Sequence, residues 1–503
     1  MNRKDQIAKA TINPNWDIVI IGGGATGLGA AIDAASRGYK CLLIEQYDFA
    51  KGTSSKSTKL LHGGVRYLQQ GNISLVMEAL RERGRLLKNA PHLSSIQSFI
   101  IPVYSCWEKW FYAIGLKLYD LMAGSYSIGS TKILSKKKII EALPAINTTQ
   151  LVGGVLYYDG QFDDSSMCIE MAATAIKHGA TIINYCKAVS FIKTNQKITG
   201  LHIVDETTKE TFEVKTKVVV NATGVFTNAI MQLDDKHLHD YVTPSQGIHL
   251  MIEPCFFAGE NAMMIPKTSD GRVLFAVPWH GKIIIGTTDT VIDKIAIEPK
   301  PLEEEINFII THFNKYCLTS ISRKDILSVY VGLRPLIKHS GIQSAQLSRA
   351  HSLTVSNSGL ITITGGKWTT YRQMAEDAID NAIFVGKLKK SICITKNLPI
   401  GDPNLKENMI KHIILENPDW NQPIHPNFIF KKAEIIYAIR YQMAIHLEDV
   451  LARRVRLLYL DARMAIQVAP EVARIMAKEM QKDTEWTMNE INSFTALANQ
   501  YIV

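Results

Sequence analysis

The sequence predicts an α/β protein: a Rossmann-like dinucleotide-binding domain, an antiparallel-sheet domain interleaved with it, and an all-α domain at the C-terminal end. Three observations carry this. A strand, glycine turn, helix and second strand occupy Trp16 to Glu45. Alternating apolar runs broken by turn residues extend from Tyr241 to about Val331, as an antiparallel sheet requires. Ala433 to Met480 keeps an almost unbroken helical period.

The first unit is the most specific. Trp16 to Ile21 is a largely apolar run of strand length, Gly22-Gly23-Gly24-Ala25-Thr26-Gly27 follows, and Cys41 to Ile44 ends on Glu45. This is the dinucleotide fingerprint in its full context. Gly22 permits the tight turn, Gly24 lets the backbone approach a pyrophosphate, and Gly27 allows close helix packing. Unpaired N–H groups at the helix start then face the phosphates, and Glu45 stands where a carboxylate receives a ribose. No second glycine fingerprint follows a strand, so no separate nicotinamide domain is expected. If the site holds FAD, electrons come from the substrate or a small donor.

Bulk properties narrow the classes. At 503 residues there is room for two or three cored domains. No uncharged apolar stretch reaches the roughly 18 residues of a spanning helix, and the polar Met1 to Asn15 segment lacks a signal-peptide core. Seven cysteines without a Cys-x-x-Cys pair suit a reducing compartment with no disulfide or metal site. The net charge of +9 suits an anionic lipid, nucleic acid or anionic substrate as partner, or a mildly basic surface with none. Nothing shows the stacking aromatics on a basic sheet that single strands need, so no nucleic acid is expected.

Beyond Glu45, a hydroxyl-rich loop (Thr53-Ser54-Ser55-Lys56-Ser57-Thr58) runs into Lys59-Leu60-Leu61-His62-Gly63-Gly64-Val65-Arg66-Tyr67-Leu68. Such a loop suits a ribityl chain and pyrophosphate, and the glycines leave room for a flat ring. Asn72 to Lys88 reads as a helix. Phe99 to Ile128 interleaves Trp107, Trp110, Phe111, Tyr112 and Tyr119 with Lys109 and Lys117, which fits a membrane interface or a covered helix. Lys136 to Lys138 reads as a solvated loop, and Asp163 or Asp164 as the cap of a helix from Met167 to His178. Ile182 to Val189, Ile198 to Val204 and Lys217 to Asn221 read as strands, the last entering Asn221-Ala222-Thr223-Gly224. Arg334, Arg349 and Lys367 form a late cationic set suited to a phosphomonoester. Leu360 to Thr364 is a strand, and the helix from Thr370 to Phe384 points its positive end at the ring. Asp449 and Arg453 stand at helical pair spacing, and Pro470 is expected to start a new helix at Glu471. The arginines at 453, 454 and 456 could meet lipid, another subunit or water.

The fingerprint, the Ser-Thr-Lys-Leu-Leu-His-Gly-Gly-Val-Arg-Tyr-Leu string, Gln246-Gly247-Ile248-His249, Ile285-Gly286-Thr287-Thr288-Asp289 and Gly365-Gly366-Lys367-Trp368 resemble the FAD-dependent, membrane-associated glycerol-3-phosphate dehydrogenases. The resemblance spans about residues 16–371, with a weaker helical continuation. It implies a D-amino-acid-oxidase-like fold, with a flavin-dependent region over 1–390 and a helical domain over 391–503. Cofactor segments are expected at about 15–90, 150–240 and 331–390, and substrate segments at about 91–149 and 241–330. The implied reaction is oxidation of sn-glycerol 3-phosphate to dihydroxyacetone phosphate, with electrons passed to ubiquinone or menaquinone. His62, His249 and Arg334 are the catalytic candidates, and Arg66, Tyr67, Arg334, Arg349 and Lys367 the substrate-binding ones. FAD contacts are expected from Gly22, Gly24, Gly27, Glu45, Thr53, Ser54, Ser55, Lys59, Leu60, His62, Val189, Ala222, Gly224, Gly366, Lys367 and Thr369. The resemblance further implies monotopic contact with anionic lipid at the cytoplasmic face of a bacterial inner membrane, with a soluble cytoplasmic protein and a homodimer left open. The calcium-binding extension of mitochondrial relatives is not seen, which suits a bacterial enzyme.

Three alternatives compete. A glycerol-3-phosphate oxidase would use oxygen and release hydrogen peroxide, but its extra inserted segment is not seen. An amine or amino-acid oxidase of the same fold is opposed by the arginines and the His-Gly-Gly string. A flavin-binding protein without catalysis would keep its colour with every substrate.

Overall fold

The computed structural model describes residues 1–64, 72–338 and 351–503. Two large sheets organise them, and the register of the first explains where a ligand can bind.

Strand Asn15–Ile21 is the centre of an eight-stranded sheet, flanked in parallel by Thr211–Asn221 and Cys41–Ile44. Thr181–Ile183 and Leu360–Gly365 extend the parallel core on either side. Ile18, Val19 and Ile20 are completely buried, the continuous apolar run expected of a parallel strand covered on both faces. Ile21 pairs with both Asn221 and Ile44. Three turns, at Gly22, Ala222 and Glu45, therefore begin side by side at the carboxyl edge. Helix Ala25–Ser36 lies against this sheet, and helix Tyr371–Val385 lies against that helix. Small residues allow it: a Cβ on Gly29 would sit 2.8 Å from the Tyr371 ring.

The second sheet has ten strands and is antiparallel except where Ala262–Ile265 runs parallel to Ser94–Val103. Val242–Ile252 pairs with Ile326–Ile337 along nearly its whole length, setting His249 opposite Tyr330 and Ser245 opposite Arg334. Leu60–Leu61, Gly153–Phe162 and the end of Ile326–Ile337 belong to this sheet, although the sequence reading put them in cofactor segments. Ten-residue pairing of Gly153–Phe162 with Ser94–Val103 is the physical reason for the middle one.

Helices from Pro403–Glu416 to Thr484–Ala498 make up the C-terminal region. They pack on Met251, Trp279, Ile284 and Tyr330 of the second sheet. Pro470 does not start a helix; it lies inside Ala462–Met480. An interior proline costs about 3 kcal/mol. Here Ala465, Val468, Ala469, Val472, Ala473 and Met476 bury one face on both sides of it, which outweighs that cost. Lys136 to Lys138 form the first turn of helix Lys136–Ala142, capped by Ser135, instead of a loop. The polar N-terminus also folds, as helix Arg3–Ile12, because Asn2 caps it and Arg3 pairs with Asp205 at 2.8 Å.

The arginines left open by the sequence face inward. Arg453 and Arg454 both bond the fully buried Asp48 at 2.6 Å, and Arg453 also bonds Asp449 at 2.8 Å. Burial alone would raise the Asp48 carboxyl, but Arg454 and Arg453 hold it below its ordinary range. Arg456 bonds Asp163, the cap of helix Asp164–Lys177, at 2.8 Å. The cluster fastens the C-terminal region to the loop that follows Glu45.

Candidate active site and cofactor cavity

A cavity of ≈ 610 Å³ opens at the carboxyl edge of the parallel sheet, where ligands of open α/β sheets bind. Its walls are built from turns. Gly22 has φ +115°, and a Cβ there would lie 2.6 Å from the Ala222 carbonyl oxygen. A Cβ on Gly27 would lie 1.9 Å from the Gly22 carbonyl oxygen, so the helix can only pass this close without a side chain. The Ala25 N–H, in the first turn of the helix, donates to Ser54 Oγ at 3.0 Å. Glu45 closes the turn by accepting from Gly23 N at 2.6 Å and Tyr47 N at 2.9 Å. Burial pushes its carboxyl up, against the pull of those two N–H groups.

The structure places Gly22, Gly24, Glu45, Thr53, Ser54, Val189, Ala222, Gly224, Gly366 and Lys367 on this wall. Gly27 stands behind it. The sequence reading missed Thr26, Gln46, Ala188, Thr223, Gly365 and Trp368, which also line it. Position beside a recognised motif was the only available signal for these. A cavity of this volume lined by glycine turns, hydroxyls at Thr26, Thr53, Ser54 and Thr223, and apolar side chains such as Val189 and Leu233 fits a dinucleotide such as FAD. Ser55, Lys59 and Thr369 are elsewhere. The Ser55 hydroxyl bonds the Tyr459 hydroxyl at 3.1 Å, and Thr369 Oγ1 donates to the His62 carbonyl at 3.4 Å. Lys59 is wholly buried, bonded to both Asp164 oxygens at 2.8 Å and ringed by Trp279, Tyr330 and Tyr459 at 5.1–5.3 Å.

A second cavity, ≈ 180 Å³, lies in the antiparallel domain. Thr58, Leu60, His62, Thr288, Asp289 and Arg334 are among its walls. The guanidinium of Arg334 is held on two sides. Nη2 donates to the Thr288 carbonyl at 2.9 Å and to Thr287 Oγ1 at 3.1 Å, while Nη1 reaches Asp289 at 3.2 Å. Gly247 makes the space for it, since a Cβ there would be 2.3 Å from Nη2. Asp159 also lines this cavity, bonded by Arg83 at 2.7 Å and by the Tyr119 hydroxyl at 3.0 Å. His249 is not on the wall: it is buried behind Thr58, whose Oγ1 lies 2.8 Å from Nε2. Arg66, Tyr67 and Arg349 lie outside the described residues.

One loop serves both cavities. Thr53 and Ser54 wall the first, and Thr58, Leu60, His62 and Gly64 wall the second. Trp368 Nε1 ties that loop to the cofactor side by donating to the Ser54 carbonyl at 3.0 Å.

Comparison with known proteins agrees with this geometry. Residues 17–372 match the family described as FAD dependent oxidoreductase, and 406–487 match the C-terminal domain of alpha-glycerophosphate oxidase. The mitochondrial glycerol-3-phosphate dehydrogenase of Macaca fascicularis is 38% identical over 96% of this chain and 73% of its own length. The crystal structure of the glycerol-3-phosphate dehydrogenase from Bacillus halodurans complexed with FAD superposes with TM-score 0.80 and 26% identity, covering 100% of this chain and 98% of that one. L-alpha-glycerophosphate oxidase from Mycoplasma pneumoniae, at 17% identity and TM-score 0.58 over 77% of this chain and 99% of its own, shares the fold. The chain belongs to the FAD-dependent glycerol-3-phosphate dehydrogenase family.

Proposed function

We propose that this chain oxidises sn-glycerol 3-phosphate to dihydroxyacetone phosphate and passes the electrons to a membrane quinone, ubiquinone or menaquinone. The observation that carries the reading is the shared loop: residues 53–64 wall a dinucleotide cavity and a cation-bearing second cavity in turn. Bound FAD supplies the hydride acceptor. The chain supplies charge, orientation and a route for the proton. Arg334 faces the second cavity and stabilises an oxygen that becomes negative as C2 is oxidised. His62 lines the same space and is our candidate for taking the C2 hydroxyl proton. Lys367, with Arg66, Tyr67 and Arg349, is assigned to the phosphate by resemblance. Charge-assisted bonds of this kind contribute roughly 1.5–3 kcal/mol each.

The quinone assignment and a peripheral place on the cytoplasmic face of a membrane draw support from helix Cys106–Ala123. Among the described residues no helix is long and apolar enough to cross a membrane. This one instead turns Trp107, Trp110, Phe111, Ile114, Leu118 and Leu121 outward, with Trp107 71% and Leu121 77% exposed. Indoles beside Lys109 and Lys117 suit an anionic lipid interface. We also propose that residues 1–390 and 391–503 are the two functional units, the second bolted to the first through Arg453, Arg454 and Arg456.

Anaerobic titration of the flavin-loaded protein with sn-glycerol 3-phosphate tests the reaction. Loss of the oxidised flavin band, absent with glycerol and with the other stereoisomer, is expected. Retention of colour refutes the activity. Reoxidation by a quinone analogue faster than by air supports the dehydrogenase reading, and the reverse order favours an oxidase.

A further inference from the structure

His249 is poorly placed to take a proton from anything in the second cavity. It is 3% exposed, and its ring lies flat on Tyr330, with centroids 4.8 Å apart and planes 15° apart. Gly286 closes over the ring, where a Cβ would be 2.3 Å from Cδ2. The Tyr330 hydroxyl donates to the Ser57 carbonyl at 3.1 Å, so the stacked pair also fixes the backbone next to Thr58. Nε2 is taken by Thr58 Oγ1 at 2.8 Å, and it is Thr58 that stands on the cavity wall.

The charge state follows from the surroundings. Among the described residues the charged groups acting on His249 are Arg334 and Lys59, both cations, and the aromatic face of Tyr330 covers it. Burial first, and those cations second, hold the imidazole well below its ordinary range, so it is neutral at pH 7. A neutral ring carries one N–H. Nδ1 is buried with no hydrogen-bond partner among the described residues. A buried N–H without an acceptor is costlier than an unused acceptor lone pair. The proton therefore belongs on Nε2, which donates to Thr58 Oγ1. A hydroxyl that already accepts from one side keeps its own hydrogen for the other, and Thr58 is on the cavity wall.

We infer that Thr58 donates a hydrogen bond to the substrate oxygen at the reacting carbon, and that His249 is the positioning residue that aims this hydroxyl. This rests on the second cavity being the substrate site. Thr58 and Arg334 then bracket the same oxygen, one as a neutral donor and one as a charge. Nothing is transferred to His249, and the base for the C2 proton lies elsewhere on the wall.

Substitution in the flavin-loaded enzyme separates this from a His249 base. Thr58→Ser keeps the donor and should stay within about threefold of wild type, while Thr58→Val should lower kcat/KM roughly tenfold or more. His249→Gln can still present an N–H and should retain most activity with an unchanged pH profile. His249→Leu should cost as much as Thr58→Val, and the double variant no more than either alone. Loss of the acidic limb of the pH profile in His249→Gln, with Thr58→Val near wild type, overturns the inference. A readout independent of turnover uses protein labelled with ¹⁵N at histidine, the His249 signal being identified by its absence from His249→Gln. An Nε2–H tautomer is expected, and an Nδ1–H tautomer or an imidazolium at pH 7 overturns it. If wild type is not bleached by sn-glycerol 3-phosphate, the functional reading fails. The tautomer still decides the Thr58–His249 geometry.

Discussion

The two cavities are built by opposite means. The larger is made of backbone: glycine turns at 22, 24, 224 and 366 line it, and Gly27 behind them has no room for a Cβ. The smaller is made of side chains brought from distant segments: Arg334, held by the Thr288 carbonyl, and Thr58, backed by His249 191 positions away in sequence. A backbone site fails when atoms are added. A side-chain site fails when they are removed.

The sharpest way to break this contrast is Gly27→Ala. A Cβ 1.9 Å from a carbonyl oxygen cannot be accommodated, so the purified variant should carry essentially no flavin, read as absorbance per protein. Full flavin content would show that the turn yields. Arg334→Gln should do the reverse, keeping its flavin while kcat/KM falls roughly a hundredfold, measured by anaerobic flavin bleaching. Loss of flavin in that variant would show that the cavities are not separable.

Asp48→Asn probes the fastening beneath both. It strips the carboxylate from the buried Arg454, while Arg453 keeps Glu448 and Asp449, and should cost about 3 kcal/mol of stability in denaturant unfolding because an interior cation loses its anion. An unchanged midpoint would make the cluster dispensable. The smallest expected effect is a pH dependence at the cofactor side. The hydrogen bond to Asp377 at 2.7 Å raises the His351 pKa, against burial. A raised folded pKa stabilises fully below the unfolded value, about 6.5, and that stabilisation is lost as pH rises through the folded one. Wild type should therefore lose more thermal stability between pH 6 and pH 8.5 than His351→Gln does. Parallel melting curves would remove the pair from consideration.

The same contrast explains what could be read in advance. The first cavity is assembled from motifs that are each local in the chain: strand, turn, helix and Glu45 follow within thirty residues, and Asn221-Ala222-Thr223-Gly224 repeats the pattern of strand into small-residue turn. Spacing and residue type suffice there. The second depends on register, and register is not visible in a list of apolar runs. Arg334 and His249 were legible as residues, yet not that Thr58 stands between His249 and the cavity. Lys59 was expected at the cofactor because of its neighbours in sequence; Asp164, 105 residues away, draws it into the interior instead. The C-terminal arginines had an ordinary surface spacing, and only their partners, Asp48 for Arg453 and Arg454 and Asp163 for Arg456, reveal their direction.

The Asp48 fastening has a consequence for synthesis. Arg454 leaves the ribosome 406 residues after the carboxylate it neutralises. Until then Asp48, in the segment after Glu45, has neither of the guanidiniums that neutralise it in the folded chain. The fastening therefore closes only after Arg453 and Arg454 have been made, long after the glycine turn at residues 22–27.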